Sequence, residues 1–168
     1  MDDFQKRAVY DSEYFLRDTM TSLAQVDVPT FDFYGSSLLV PLERKFGDLE
    51  GVQRYVNSIL ALNWVRAMWP EKSILPVKVR ARRGTRFAHY EFPGVIAVPP
   101  HNGGISWAMR EIVILHELSH HFARDQHGPK FASTFLHMVK ELMGPEVGLI
   151  LTDAYTRNGV QFGALTHA

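Results

Sequence analysis

The chain has 168 residues, 46% of them hydrophobic, and its 18 lysines and arginines balance its 18 aspartates and glutamates. That length suits one globular domain, 1–168, with a substantial core, and zero net charge gives no global pull toward nucleic acid or an anionic membrane. With no cysteine, disulfides and thiolate ligands are excluded, so any metal site must be built from histidine and carboxylate.

In chain order, Met1-Asp2-Asp3-Phe4 opens without an apolar signal region, and no run approaches the length of a membrane span, which predicts a cytoplasmic protein. Val9, Leu16 and Leu23 recur every seven residues with Phe15 and Met20 beside them, so the first 25 residues read as an amphipathic helix. Phe31 to Val40 is rich in β-branched and aromatic residues but broken at Gly35-Ser36-Ser37, the pattern of a short strand or an extended connector. Leu49, Val52, Val56, Ile59 and Leu60 mark a second amphipathic helix with Asp48 as N-cap, and Trp64, Met68 and Trp69 cover the core near its end. From Val77 the period changes to two, with Val77, Val79 and Ala81 alternating against Lys78, Arg80 and Arg82. Further strands are expected around Phe87 to Phe92 and from Val95 to Val98.

A helix from Trp107 to about Arg124, with Ser106 as N-cap, carries His116-Glu117-Leu118-Ser119-His120. A helix turns by about 100° and rises about 1.5 Å per residue, so His116 and His120 lie about 40° apart around the axis and about 6 Å apart along it. Both imidazoles can therefore reach one tetrahedral Zn²⁺, while Glu117 stands beside them as a general base outside the ligand set. A catalytic zinc takes a third protein ligand and keeps a position for water. His127 is the first candidate, because Gly128 can turn the chain and Pro129 suits the start of a new helix that folds His127 back. Glu141 is the rival. His121 points about 100° away from His120, and Asp125 is expected in the last turn of the same helix with poor access to the metal.

Phe131, Phe135, Met138 and Leu142 mark the next helix, ended by Gly144-Pro145, and Val147, Ile150, Leu151 and Ala154 mark another that ends at Asn158-Gly159. Helices, then strands, then helices argue for the α+β class.

The zinc motif followed by His127-Gly128-Pro129-Lys130-Phe131 resembles SprT-like and other small gluzincin-type metallopeptidases. Over most of its length the chain is also similar to a family of metallohydrolases without an assigned reaction. That similarity covers Phe33-Tyr34-Gly35-Ser36, the stretch from Phe46 to Val56, the His116 helix and Met143-Gly144-Pro145-Glu146. The resemblance implies a small zincin-like domain with a short, largely antiparallel sheet packed on the motif helix and flanking helices. It also implies one Zn²⁺ and a peptide or protein substrate, and that Val95, Ile96, Ala97 and Val98, or the neighbouring strand, pair with that peptide. Otherwise Val95 to Val98 is an ordinary interior strand. The zinc ribbon of Spartan-like members requires cysteine, so their nucleic-acid role is not carried over.

The expected reaction is hydrolysis of a peptide or related amide bond, with Glu117 taking a proton from water and returning it to the leaving amine. Tyr155 and His101 are candidates for stabilising the transition state, and Asp125 and Asp153 for orienting the ligand imidazoles. A competing reading is a non-catalytic zinc-containing binding module that uses the basic patch Lys78, Arg80, Arg82, Arg83 and Arg86 to meet phosphates.

Overall fold

The computed structural model describes residues 2–84, 87–99 and 107–165. Along them run α1 (Lys6–Leu23), β1 (Thr30–Phe33), β2 (Ser36–Leu39), α2 (Leu49–Leu60), α3 (Asn63–Met68), α4 (Pro70–Ser73), β3 (Lys78–Ala81), β4 (His89–Glu91), β5 (Val95–Val98), α5 (Glu111–Phe122), α6 (Pro129–Met143) and α7 (Pro145–Arg157). The class is α+β. Among the described residues no helix is long and apolar enough to cross a membrane. The sequence reads as one domain, and its described residues group into two compact units, one running to Glu43 and resuming over Ala123–Leu165, the other Arg44–Phe122.

In the first unit α1 and α6 each pack against α7. Val9, Leu16, Met20 and Leu23 are buried on α1, Phe131, Phe135 and Met138 on α6, and Val147, Ile150, Leu151 and Ala154 on α7, the helical stripes that the spacing predicts. Full burial of such a side chain contributes about 1.5–3 kcal/mol. Ser12 is the polar exception on α1. Its hydroxyl donates to the carbonyls of Ala8 at 2.8 Å and Ala154 at 3.3 Å, and accepts from Asn158 Nδ2 at 2.9 Å, so no buried hydrogen-bonding capacity is wasted. The Phe31 to Val40 segment is a hairpin, with β1 antiparallel to β2 and Phe33 opposite Ser36. Tyr34 and Gly35 sit at φ 49° and 86°, the pair of left-handed residues that lets a two-residue turn match the twist of its strands.

In the second unit Asp48 caps α2 by accepting the Gly51 N–H at 2.7 Å, as expected. The Trp64 segment is not the end of that helix: α2 stops at Leu60, and α3 and α4 follow as separate short helices. β5 is the central strand of a three-stranded sheet, parallel to β3 and antiparallel to β4, with Ala97 opposite both Arg80 and His89. This sheet is mixed, where a largely antiparallel one was expected. It lies against α5 through β4 and β5. The outer edge of β3 meets the Gln53 side chain of α2, whose Nε2 donates to Val77 O at 2.8 Å and whose Oε1 accepts from Val79 N at 2.7 Å.

α5 begins at Glu111, not Trp107. The preceding backbone is engaged elsewhere: Lys45 and Arg110 form an antiparallel bridge, Phe46 N donates to Met109 O at 2.8 Å, and Glu111 N donates to Arg44 O at 2.9 Å. Ser106, the expected cap, lies outside the described residues. Along α5 every residue except His120 is buried, so the helix is enclosed on almost all sides and carries no clean polar face.

Candidate metal centre

Polar groups on a buried helix must find partners, and those of α5 divide by role. Glu111, 1% exposed at its start, accepts the Arg44 backbone N–H at 2.9 Å, the Arg44 guanidinium at 2.8 Å and the Tyr55 hydroxyl. Burial and the adjacent Glu111 carboxylate hold the Tyr55 phenol far above its usual range, and the same carboxylate raises Arg44. Ser119 donates to Leu115 O at 2.7 Å. His121 lies 2.8 Å from the Lys72 carbonyl through Nε2 and 3.0 Å from the Tyr90 hydroxyl through Nδ1. A carbonyl only accepts, so Nε2 carries the hydrogen and Nδ1 accepts from Tyr90, which commits both nitrogens of His121 to structure. Lys72 Nζ in turn donates to Phe122 O, placing a cation at the negative end of α5.

His116 and His120 are adjacent on one face of the helix, with ring centroids 5.2 Å apart and planes inclined at 71°. After Phe122 the chain runs through a short turn to His127. Gln126 takes the left-handed conformation, φ 58°, and makes the reversal assigned to Gly128 from sequence. Gly128 is needed for room instead: a Cβ there would stand 2.5 Å from Asp125 Oδ2. Asp125 is outside α5 and caps α6, its carboxylate accepting from Lys130 N at 2.8 Å and Phe131 N at 2.9 Å, with Pro129 at the first helical position.

The turn brings the third imidazole to the first two. The candidate ligand atoms of His116, His120 and His127 all lie within 4.8 Å of one another, with His116 and His127 buried and His120 half-buried. These three residues could hold a metal ion. Three imidazole nitrogens within 4.8 Å of one another form a donor set suited to a borderline-soft divalent cation. Glu117, next to His116, is 7% exposed.

The other sequence candidates fall elsewhere. Glu141 is exposed near the end of α6 and does not join the cluster. Tyr155 is fully buried among core groups, its ring 5.5 Å from that of Phe162, and burial, with the Glu13 carboxylate, drives its phenol well above the usual range. That is a packing position, inaccessible to a substrate carbonyl. His101 lies outside the described residues. Asp153 accepts from the Tyr34 hydroxyl and from Arg157 Nε at 2.8 Å, and Asp125 is occupied with α6, so neither orients a ligand histidine by these bonds. Val95, Ile96 and Ala97 are paired with β3 on one edge and β4 on the other, and Val98 is paired with β3, so this central strand, apolar on both faces, is an interior strand and not the edge that a substrate peptide would join. In the basic patch Arg80 pairs with Glu91, which also meets His89 at 2.6 Å, and Arg82 donates to Phe87 O. The hydrogen bond from His89, followed by Arg80, lowers the Glu91 carboxyl. Arg86 lies outside the described residues.

Sequence reasoning passed over Asp3. It meets His127 Nδ1 through Oδ2 at 2.7 Å and the His127 backbone N–H through Oδ1 at 3.1 Å. The two residues are 124 positions apart, and no local signal connects them. The chain matches no protein-family model, and neither a curated protein nor a solved structure matches it.

Proposed function

We propose that the protein is a zinc-dependent hydrolase that cleaves a peptide or related amide bond. The observation that carries this reading is the convergence of His116, His120 and His127 with Glu117 beside them on a buried helix. A zinc ion bound there supplies Lewis acidity toward a carbonyl and brings water's pKa to about 7.

The residues of the chain do the rest. The three histidines serve as neutral ligands, and Tyr10 and Phe131, each with its ring centroid 5.0 Å from that of His127, wall the third one in. Glu117 takes the proton from the attacking water and delivers it to the departing amine, which makes one carboxylate both base and acid. A purely structural three-histidine site would have no use for a carboxylate at this position. The resemblance of the motif and of His127-Gly128-Pro129 to small gluzincin-type metallopeptidases supports the same reading.

The test combines metal content with cleavage. Purified protein is expected to hold about one zinc, and to lose it on His116→Ala. Incubated with a proteome-derived peptide mixture, it should generate new amino termini detectable by mass spectrometry. Glu117→Gln should keep the metal and lower that cleavage by about 10²–10⁴-fold. Full cleavage by Glu117→Gln with metal retained would remove the assigned base, and a chain that binds no zinc would remove the hydrolase.

A further inference from the structure

Asp3 takes up both N–H groups of His127, one on the backbone and one on the ring. The contact is sheltered, with the His127 side chain 8% and the Asp3 side chain 21% exposed. A carboxylate only accepts, so the ring hydrogen sits on Nδ1 and the lone pair on Nε2. Three surroundings then fix the ring: Asp3 at one edge, Tyr10 of α1 and Phe131 of α6 at the sides. The backbone bond matters separately, because His127 follows a left-handed residue, and its N–H sets how far the turn brings the imidazole round.

We propose that Asp3 is a positioning residue of the metal centre: through its carboxylate, the start of the chain selects the tautomer and direction of His127 and makes Nε2 a better donor to a bound cation. The proposal rests on the metal-site reading above and deepens it. The segment has a second anchor, since the buried Gln5 donates from Nε2 to Gln161 O at 3.1 Å and accepts from Gln161 N at 2.8 Å. Changing Asp3 alone therefore loosens His127 while Gln5 keeps the segment docked. Linkage makes the effect reciprocal, so metal binding also tightens the hold of Asp3 on the turn.

Metal-free full-length protein is titrated with Zn²⁺ against a chromophoric chelator, comparing wild type with Asp3→Ala, Asp3→Asn and Asp3→Glu and using His127→Ala as reference. Asp3→Ala should weaken zinc by about 10–100-fold, the range found when a partner of a ligand histidine is removed. Asp3→Asn, which can still accept the Nδ1 hydrogen without its charge, should fall between, and Asp3→Glu should recover part of the loss. Histidine ¹⁵N shifts give a readout that simple destabilisation does not move. In the wild type one resonance pair belongs to a single Nδ1–H tautomer of His127, and in Asp3→Ala it shifts toward a mixture. Wild-type protein that binds neither Zn²⁺ nor Co²⁺ overturns the metal reading itself. Wild-type binding with equal affinity in folded Asp3→Asn and Asp3→Ala, and unchanged ¹⁵N shifts, overturns the role of Asp3 and leaves the metal reading intact.

Discussion

α5 and the turn that follows it deliver ligands to the same cluster by different physical means. On α5 the separation of His116 and His120 is a property of any helix, and the surroundings need only keep that helix in place. Its ends are fastened by Glu111 with Arg44 and Tyr55 at one side and by Lys72 at the other. In the turn nothing repeats. His127 is placed by the left-handed Gln126, by clearance at Gly128, by the Asp125 cap on α6 and by Asp3 from the other end of the chain. A periodic element tolerates many neighbours, whereas an aperiodic one depends on each.

The largest stability effect should come from the helix side, because that is where a fully buried charge is concentrated. Glu111→Ala leaves the Arg44 backbone N–H and the Tyr55 hydroxyl without their acceptor inside the second unit. The loss should be about 3 kcal/mol, less than for a wholly buried ion pair since the Arg44 side chain is 60% exposed. Chemical denaturation would read this as a lower midpoint with an unchanged slope. Zinc affinity of the folded fraction should hardly change, because helix geometry alone sets the spacing of His116 and His120. A large affinity loss with little loss of stability would reverse the comparison.

Gly128→Ala attacks the turn. Its φ of −71° suits any residue, so backbone preference is not at issue, but the new methyl would press on Asp125 at Oδ2, Cγ and the carbonyl oxygen. Asp125 cannot swing aside freely while it caps α6. Overpacking of this kind costs about 1–3 kcal/mol. Here the expected signature is the opposite one: a modest fall in thermal midpoint with a roughly tenfold or greater weakening of zinc, since moving Asp125 moves His127 two residues on. If both properties were unchanged, the turn would be more compliant than its contacts imply.

This contrast also explains what could be read from the sequence. The amphipathic stripes of α1, α2, α6 and α7, the Asp48 cap and the motif histidines all follow from period or from a side chain acting within one turn of itself, and the structure carries them. The joining of His127 to His116 and His120 was also expected, though for a partly mistaken reason: the reversal belongs to Gln126, a residue with no special tendency to be left-handed. The start of α5 at Glu111 has no local signal, because the competing partner of Met109 to Glu111 is a segment some 65 residues earlier, from Arg44 to Phe46. The position of Val95 to Val98 in its sheet was open for the same reason, as strand order is a matter of distant pairing. Asp3 and the Glu111 network are long-range polar contacts, and an isolated aspartate or tyrosine carries no mark of its partner.

Two tyrosines, Tyr55 half-buried and Tyr155 fully buried, sharpen the comparison at its smallest scale. Tyr55, beside α5, gives its hydroxyl to Glu111, whereas the Tyr155 hydroxyl on α7 has no hydrogen-bond partner among the described residues. Removing a satisfied hydroxyl strands its acceptor, and removing an unsatisfied one relieves a desolvated group. Tyr55→Phe should therefore cost about 1–2 kcal/mol at neutral pH, while Tyr155→Phe should be neutral or stabilise by up to about 1 kcal/mol. Alkaline pH separates them further. Burial raises the folded-state pKa of Tyr155 above its unfolded value of about 10. Its contribution to stability is therefore complete below that pH and is lost as pH rises toward the folded pKa, because only the unfolded chain can ionise there. Tyr155→Phe should accordingly lose less stability than wild type between about pH 9 and pH 11, measured as the denaturation midpoint at each pH. It should also retain peptide cleavage, as a core residue would. A folded Tyr155→Phe protein that keeps zinc but has lost cleavage would return Tyr155 to the reacting groups.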